Sequence, residues 1–160
     1  HGSVAQCGTP MALYHRPAIL FVAEFMGSPK MNVLPCRLVA AEADHAIVSL
    51  AGQHVSVAVD ARGQPAGTDV QLGIRPEHIV VADQGSGSDV AATLLRMERL
   101  GDASLLYVNV GAGLQIMTLR VEGHAVATLG QPLTLRLLHE RMHLFDSAGL
   151  AFRRTVNLPE

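Results

Sequence analysis

The stretch HERMH, His139 to His143, places histidines four positions apart with a glutamate beside the first. On a helix that spacing turns both imidazoles to one face. They can then share a zinc ion while the glutamate acts as general base toward bound water. A hydrolase of this kind needs the helix and a third protein ligand, and the surrounding residues argue against both. The leader LTLRLL alternates as a strand does, and DSAG (Asp146 to Gly149) is a turn, so little chain is left for a helix. In the longer H-E-x-x-H-x-x-G-x-x-H form, Asp146 and Gly149 stand where glycine and histidine are required. Only Asp146 and Glu160 follow as further ligand types. A zinc hydrolase built on His139, Glu140 and His143 is therefore a remote reading.

Other chemistry is weaker still. No G-x-x-x-x-G-K-[ST] run exists, since Lys30 follows Pro29, so these residues hold no phosphate-cradling loop of that type. No G-x-S-x-G elbow is present, and GSGS at 85–88 reads as a linker. Arg75 and Glu77, on either side of Pro76, read either as a functional charged pair or as residues that cap and orient a turn. His54, His78 and His124 read as strand or turn residues on the surface. Cys7 and Cys36 read as free buried thiols, and no close cysteine pair suggests zinc. The single lysine and eleven arginines are scattered and the net charge is −2, which speaks against a nucleic-acid platform. No apolar run reaches the roughly 18 residues of a membrane span, and no stretch reads as a signal peptide. His1-Gly2-Ser3 looks like a cloning scar.

The elements that must position these residues are mostly strands. The chain is 49% hydrophobic and only 4% aromatic, with no tryptophan, so its core is expected to be aliphatic and strand-prone. Residues 4–29 differ. Thr9 is a possible N-cap ahead of Pro10, and Pro17 opens a second short helix, PAILFVAEFM, that stops at Gly27. Phe21 and Phe25 share one face of it. After the turn-rich GSPKMN the period becomes two. Val55, Val57 and Val59 fall on one face, opposite His54, Ser56 and Ala58. Val70, Leu72 and Ile74 group likewise, as do Leu106, Val108 and Val110, and Leu133, Leu135 and Leu137. The loop ADQGSGSD, Ala82 to Asp89, divides the β region near its middle.

That division coincides with an internal repeat. Placing Glu77 on Glu140 puts Leu72 on Leu135, Ile74 on Leu137, Ile79 on Met142, Val81 on Leu144 and Asp83 on Asp146. Two similar β-subdomains are expected, about 30–84 and 90–160. Within the repeat HERMH has another role, because His139 takes the place of Pro76 in a strand–turn–strand element.

LGIRPEHI, Leu72 to Ile79, resembles the C-terminal TOBE region of sugar-importer ATPases, the maltose- and glycerol-phosphate-type ATP-binding subunits of ABC transporters. The resemblance extends to QCGTP…LYHRPA…FVAEFMGSPKMN (Gln6 to Asn32), to Leu100-Gly101 and to HLFD (His143 to Asp146). It covers nearly the whole chain. Ala12, Ile19 and Glu24 depart from the pattern and bear on how residues 4–29 would dock. His139 departs where proline is common, and that one change creates the zinc-like string.

The resemblance implies a mainly β fold: tandem OB-like subdomains over 30–160, preceded by an ATPase-domain tail with two short helices over 4–29. It marks Leu72, Gly73, Ile74, Arg75, Pro76, Glu77, His78, Glu140, His143, Leu144, Phe145 and Asp146 as motif residues of structural or regulatory use. The implied role is regulation and dimerisation of an importer ATPase at the cytoplasmic face of the inner membrane. The implied partners are a second copy, the ATPase domain, the membrane-spanning subunits and, in some members, a regulatory protein. ATP and Mg²⁺ would belong to the parent chain, and no cofactor, metal or nucleic acid is expected on these residues. Severed from an ATPase core, the apolar residues Leu13, Phe21, Phe25 and Met26 are expected to pack on another copy or back on the β region. The alternative is a small-ligand or oxyanion module related to molybdate-binding barrels, although no anion cluster stands out.

Overall fold

A computed structural model describes residues 30–82, 89–111, 115–123 and 128–156. The helices expected within 4–29, residues 83–88 of the expected loop, Cys7 and His124 lie outside them. The described residues are mainly β. The strands are β1 (Asn32–Ala41), β2 (Ala46–Leu50), β3 (Gln53–Val57), β4 (Val59–Asp60), β5 (Asp69–Ile74) and β6 (Ile79–Ala82), followed by β7 (Val90–Leu100), β8 (Ala103–Val110), β9 (Gln115–Glu122), β10 (Pro132–Leu137), β11 (His143–Phe145) and β12 (Arg153–Arg154). Two single 3-10 turns, Pro76–His78 and His139–Arg141, interrupt them.

Alternation builds the strands as expected. In β2, Ala46, Val48 and Leu50 are buried and Ile47 and Ser49 only partly so. Val55, Val57 and Val59 face inward and His54 is exposed. Ala58 departs from the pattern: it was expected on the outer face and is buried. Its N–H donates to His139 O at 3.4 Å and its carbonyl accepts from Thr155 N at 3.0 Å, so a turn and the chain end cover it from outside.

The strands form two five-stranded sheets, in the orders β11-β5-β1-β2-β3 and β6-β10-β7-β8-β9. The orders correspond slot by slot: β5 with β10, β1 with β7, β2 with β8, β3 with β9. The edge slot is exchanged. β6 follows the first turn and joins the second sheet, whereas β11 follows the second turn and joins the first. The exchanged registers also correspond, Gly73 facing His143 and Arg136 facing Val80.

Details repeat with the strands. The β1–β2 ladder shifts between Leu38 and Ala40, and the β7–β8 ladder between Leu94 and Arg96. The same loop holds both bulges: Gly67 N donates to Leu38 O (2.7 Å) and Gly130 N to Leu94 O (2.8 Å). Both glycines have left-handed backbones (φ 91° and 84°), where side chains carry a steric cost. The core is continuous through both sheets, from Leu34, Leu38 and Leu72 to Leu119, Leu135 and Leu144. Each such buried leucine contributes roughly 1.5–3 kcal/mol relative to exposure.

Candidate functional site

The motif residues converge where the exchanged strands cross. β5 carries Leu72, Gly73 and Ile74 and pairs with β11, so Leu72 meets Leu144 and Gly73 meets His143. Leu72, Ile74, Leu144 and Phe145 are fully buried and His143 is 4% exposed. Gly73 leaves room for two side chains packed over it. A Cβ there would lie 2.7 Å from Met31 Sδ and 3.0 Å from Phe145 Cε2. His143 and Phe145 stack at 6.3 Å between ring centroids.

Pro76 opens the first turn, where its missing N–H costs nothing, and is buried. Arg75 precedes it with 1% exposure, yet its side chain does not cap the turn. The closure is made by backbone, His78 N donating to Arg75 O at 3.0 Å. Glu77 is exposed and His78 half-buried. The second turn repeats the closure with Arg141 N and Leu138 O at 2.8 Å, and the two turns touch where Leu138 N donates to His78 O at 3.2 Å.

HERMH does not have zincin geometry. His139 and Glu140 sit on a 3-10 turn, with side chains 56% exposed and 3.7 Å apart, while His143 lies on β11 inside the core. A strand and a turn cannot aim these rings at one ion as a helix face would. Among the described residues no three ligand-type side chains cluster. A shallow depression of about 180 Å³ runs along Arg136 to Arg141. Asp146 has a structural task. Its Oδ1 accepts from Ala148 N and Leu150 N, each at 2.9 Å, and turns the chain back so that Ala151 pairs with Phe145.

Three further contacts tie the halves together and had no strong signal in the sequence. The Asn32 amide both donates to Thr118 O and accepts from Thr118 N, each at 2.8 Å. Gln53 does the same to Ala91, at 3.3 and 2.8 Å. The left-handed Ala51 packs on Gly111, where a Cβ would sit 2.8 Å from the Ala51 Cβ. The C-terminal strand β12 lies on β4. There Asp60 accepts from Arg62 Nη2 (2.9 Å), Arg62 Nε (3.0 Å) and Arg153 Nη2 (3.3 Å). The Arg62 guanidinium, its backbone N–H and then Arg153 hold the Asp60 carboxyl well below the usual carboxylate range. Cys36 is a free, buried thiol, and burial pushes it up to about 12.

The site is thus a crossing of two copies of one strand–turn–strand unit, and comparison with known families agrees. A family model described as the MalK OB fold domain matches residues 27–79, and one described as the TOBE domain matches residues 72–145. Together the two matches run from residue 27 to residue 145. The two matches overlap on LGIRPEHI, the TOBE stretch at the crossing, and the second ends with Phe145 of the returning strand.

Among curated relatives, the maltose/maltodextrin import ATP-binding protein MalK of Salmonella typhi is 38% identical over 164 residues. MalK of Escherichia coli (strain K12) is 37% identical over 166 residues. Each alignment takes in 99% of this chain and 43% of the relative, so the chain spans less than half the length of these proteins. The cytoplasmic molybdate-binding protein ModG, solved with molybdate bound, shares the fold at a TM-score of 0.61 and 14% identity, over 71% of this chain and 94% of that one.

Proposed function

We propose that this OB/TOBE chain is the regulatory and dimerisation module of the ATP-binding subunit of a sugar-type ABC importer. The observation that carries the reading is the match to MalK proteins along 99% of the chain, with the family motif placed at the crossing that holds both halves together. On this reading residues 4–29 are the tail of an ATPase domain and residues 30–160 the module, divided near 84–90. Nucleotide and Mg²⁺ are handled by the ATPase domain rather than by the module. The partners are a second copy, the membrane-spanning subunits and a regulatory protein, and the place of work is the cytoplasmic face of the inner membrane. The motif residues Leu72 to His78, Glu140 and His143 to Asp146 serve as scaffold: they fix the two halves relative to each other and so fix the surfaces offered to partners.

The test is a graft. The chain is joined to a sugar-importer nucleotide-binding domain that has lost its own C-terminal module, and its mass is measured by sedimentation without nucleotide. A dimer with the graft and a monomer without it are expected, and equal masses would overturn the reading. A hydrolytic role is tested by elemental analysis of the purified protein and of His139→Ala. Stoichiometric zinc lost in the variant would replace the importer reading with a metal site.

A further inference from the structure

The internal repeat provides a template for a contact that, among the described residues, is made on one half only. On the first sheet, the chain after β11 turns at Asp146 and runs back as a strap over Ala151 to Arg154. Phe152 N donates to Leu144 O at 2.8 Å, and Arg153 reaches Asp60 on β4. Under this strap Leu144 and Val59 are fully buried, and the Asp60 side chain is 14% exposed.

The second sheet has the same positions. Val81 on β6 corresponds to Leu144 on β11. Continuing the β3/β9 correspondence, Val121 falls on Val59 and Glu122 on Asp60. β6 and β9 are the two edges of this sheet, and no described strand pairs with their outer sides. All three positions are more open than their counterparts: Val81 is 40% exposed, Val121 is half-buried, and the Glu122 side chain is 80% exposed. Val80, beside Val81, is 43% exposed. Arg120 stands 3.7 Å from Glu122, much as Arg62 attends Asp60.

We propose that the seam where β6 and β9, the two edges of the second sheet, approach each other is a docking site for an extended segment of another polypeptide. That segment carries an aliphatic–aromatic pair followed by a basic residue, the chemistry of Leu150 to Arg153. The apolar pair covers Val80 and Val81, and the basic residue meets Glu122. Strand addition of this kind draws affinity from main-chain pairing and selectivity from alternate side chains. The negative Glu122 orients the partner by charge.

The probe is a synthetic peptide with the sequence of residues 148–156, AGLAFRRTV, titrated into the full chain by calorimetry and by amide chemical shifts. The expected result is saturable one-to-one binding with shifts at Val80, Val81 and Glu122. Glu122→Lys, at an exposed position, should weaken it about tenfold or more. A peptide with both arginines changed to glutamate should not bind. No saturation at millimolar peptide overturns the proposal. So does binding that Glu122→Lys leaves unchanged, and so does binding that Asp60→Lys abolishes, since that would place the peptide in the bed of the native strap.

Discussion

The two halves share a scaffold down to the position of a β-bulge, yet they are finished differently. In the first half β2 and β3 are 5 residues each, and the C-terminal strap covers the outer edge. In the second half β8 and β9 are 8 residues each, and Arg96 lies 4.3 Å from the Tyr107 ring centroid on the lengthened face. The exchanged strand also differs. β11 presents His143, Leu144 and Phe145, all buried, whereas β6 presents Val80 and Val81, both exposed. The repeat therefore sets where strands lie, and the sequence at each copy sets how firmly a strand is held. Equivalent positions in one molecule can carry unequal energy because burial differs while backbone does not.

The largest test of that contrast pairs Leu144→Ala with Val81→Ala. Leu144 is fully enclosed, so its truncation should cost about 2–5 kcal/mol in denaturant unfolding. Val81 is 40% exposed, and its truncation should cost under about 1 kcal/mol. Equal losses would mean that both exchanged strands are locked alike and that the asymmetry in burial has no energetic weight.

A second pair separates Gly73 from its counterpart, Arg136. A Cβ on Gly73 meets the flexible Met31 thioether, which can move, and the Phe145 ring, which is fully enclosed and has less freedom to shift. Gly73→Ala should cost about 1–3 kcal/mol through overpacking. The Arg136 side chain is 49% exposed but lies 3.2 Å from Asp89, whose side chain is 1% exposed. Arg136→Ala would take the cation from that buried carboxylate, so the fair comparison keeps a cation there: Arg136→Lys should stay within about 1 kcal/mol. Comparable losses in thermal unfolding would mean that the glycine answers to backbone needs rather than to the strand laid over it.

These contrasts explain what could be read in advance. Val55, Val57, Val59, Leu106 and Val108 announce strands by alternation, because a half-buried sheet imposes a period of two. The correspondence of Leu72 to Val81 with Leu135 to Leu144 was equally plain, because both copies still fill the same core slots. Which half each final strand joins was not legible. A run such as HLF satisfies any open edge, and pairing is decided by the shape of both sheets together. HERMH misleads for a related reason. Its spacing means a shared metal only on a helix, and a 3-10 turn running into a strand separates an exposed His139 from a buried His143. The strap ion pairs are not legible in the sequence, because Asp60 and Arg153 lie far apart in the chain and meet only through β4 and β12.

The strap supplies a smaller, pH-dependent test. Because Arg62 and then Arg153 depress the Asp60 carboxyl in the fold, its contribution is complete above the unfolded value of about 3.9. It fades as pH falls through the lower folded value. Asp60→Asn should therefore lower the urea midpoint at pH 6, and the gap to the parent should close on acidification below about pH 4. Amide exchange at Phe152 to Thr155 should quicken in the variant, while exchange at β8 and β9 should not change. Glu122→Gln, at the open counterpart, should leave exchange in β12 untouched. If both substitutions act alike, the strap is not what distinguishes the halves.

The smallest effect concerns Cys36, whose counterpart across the repeat is Ala92. The second half fills that slot with a methyl group, so Cys36→Ala should cost only about 1 kcal/mol or less. The thiol should also be inert. Burial pushes it up to about 12, so the reactive thiolate is scarce in the folded chain at pH 8. The sign of the linkage is opposite to that of Asp60. A raised thiol favours the folded state up to the unfolded value of about 8.5, and the fold loses that contribution as pH climbs toward 12. In a Cys7→Ser background, labelling by an aromatic disulfide at pH 8 should proceed at the rate of global unfolding and should rise with urea in step with it. Fast labelling of the native chain would mean that the first sheet opens locally along β1. The half under the strap would then be the looser of the two.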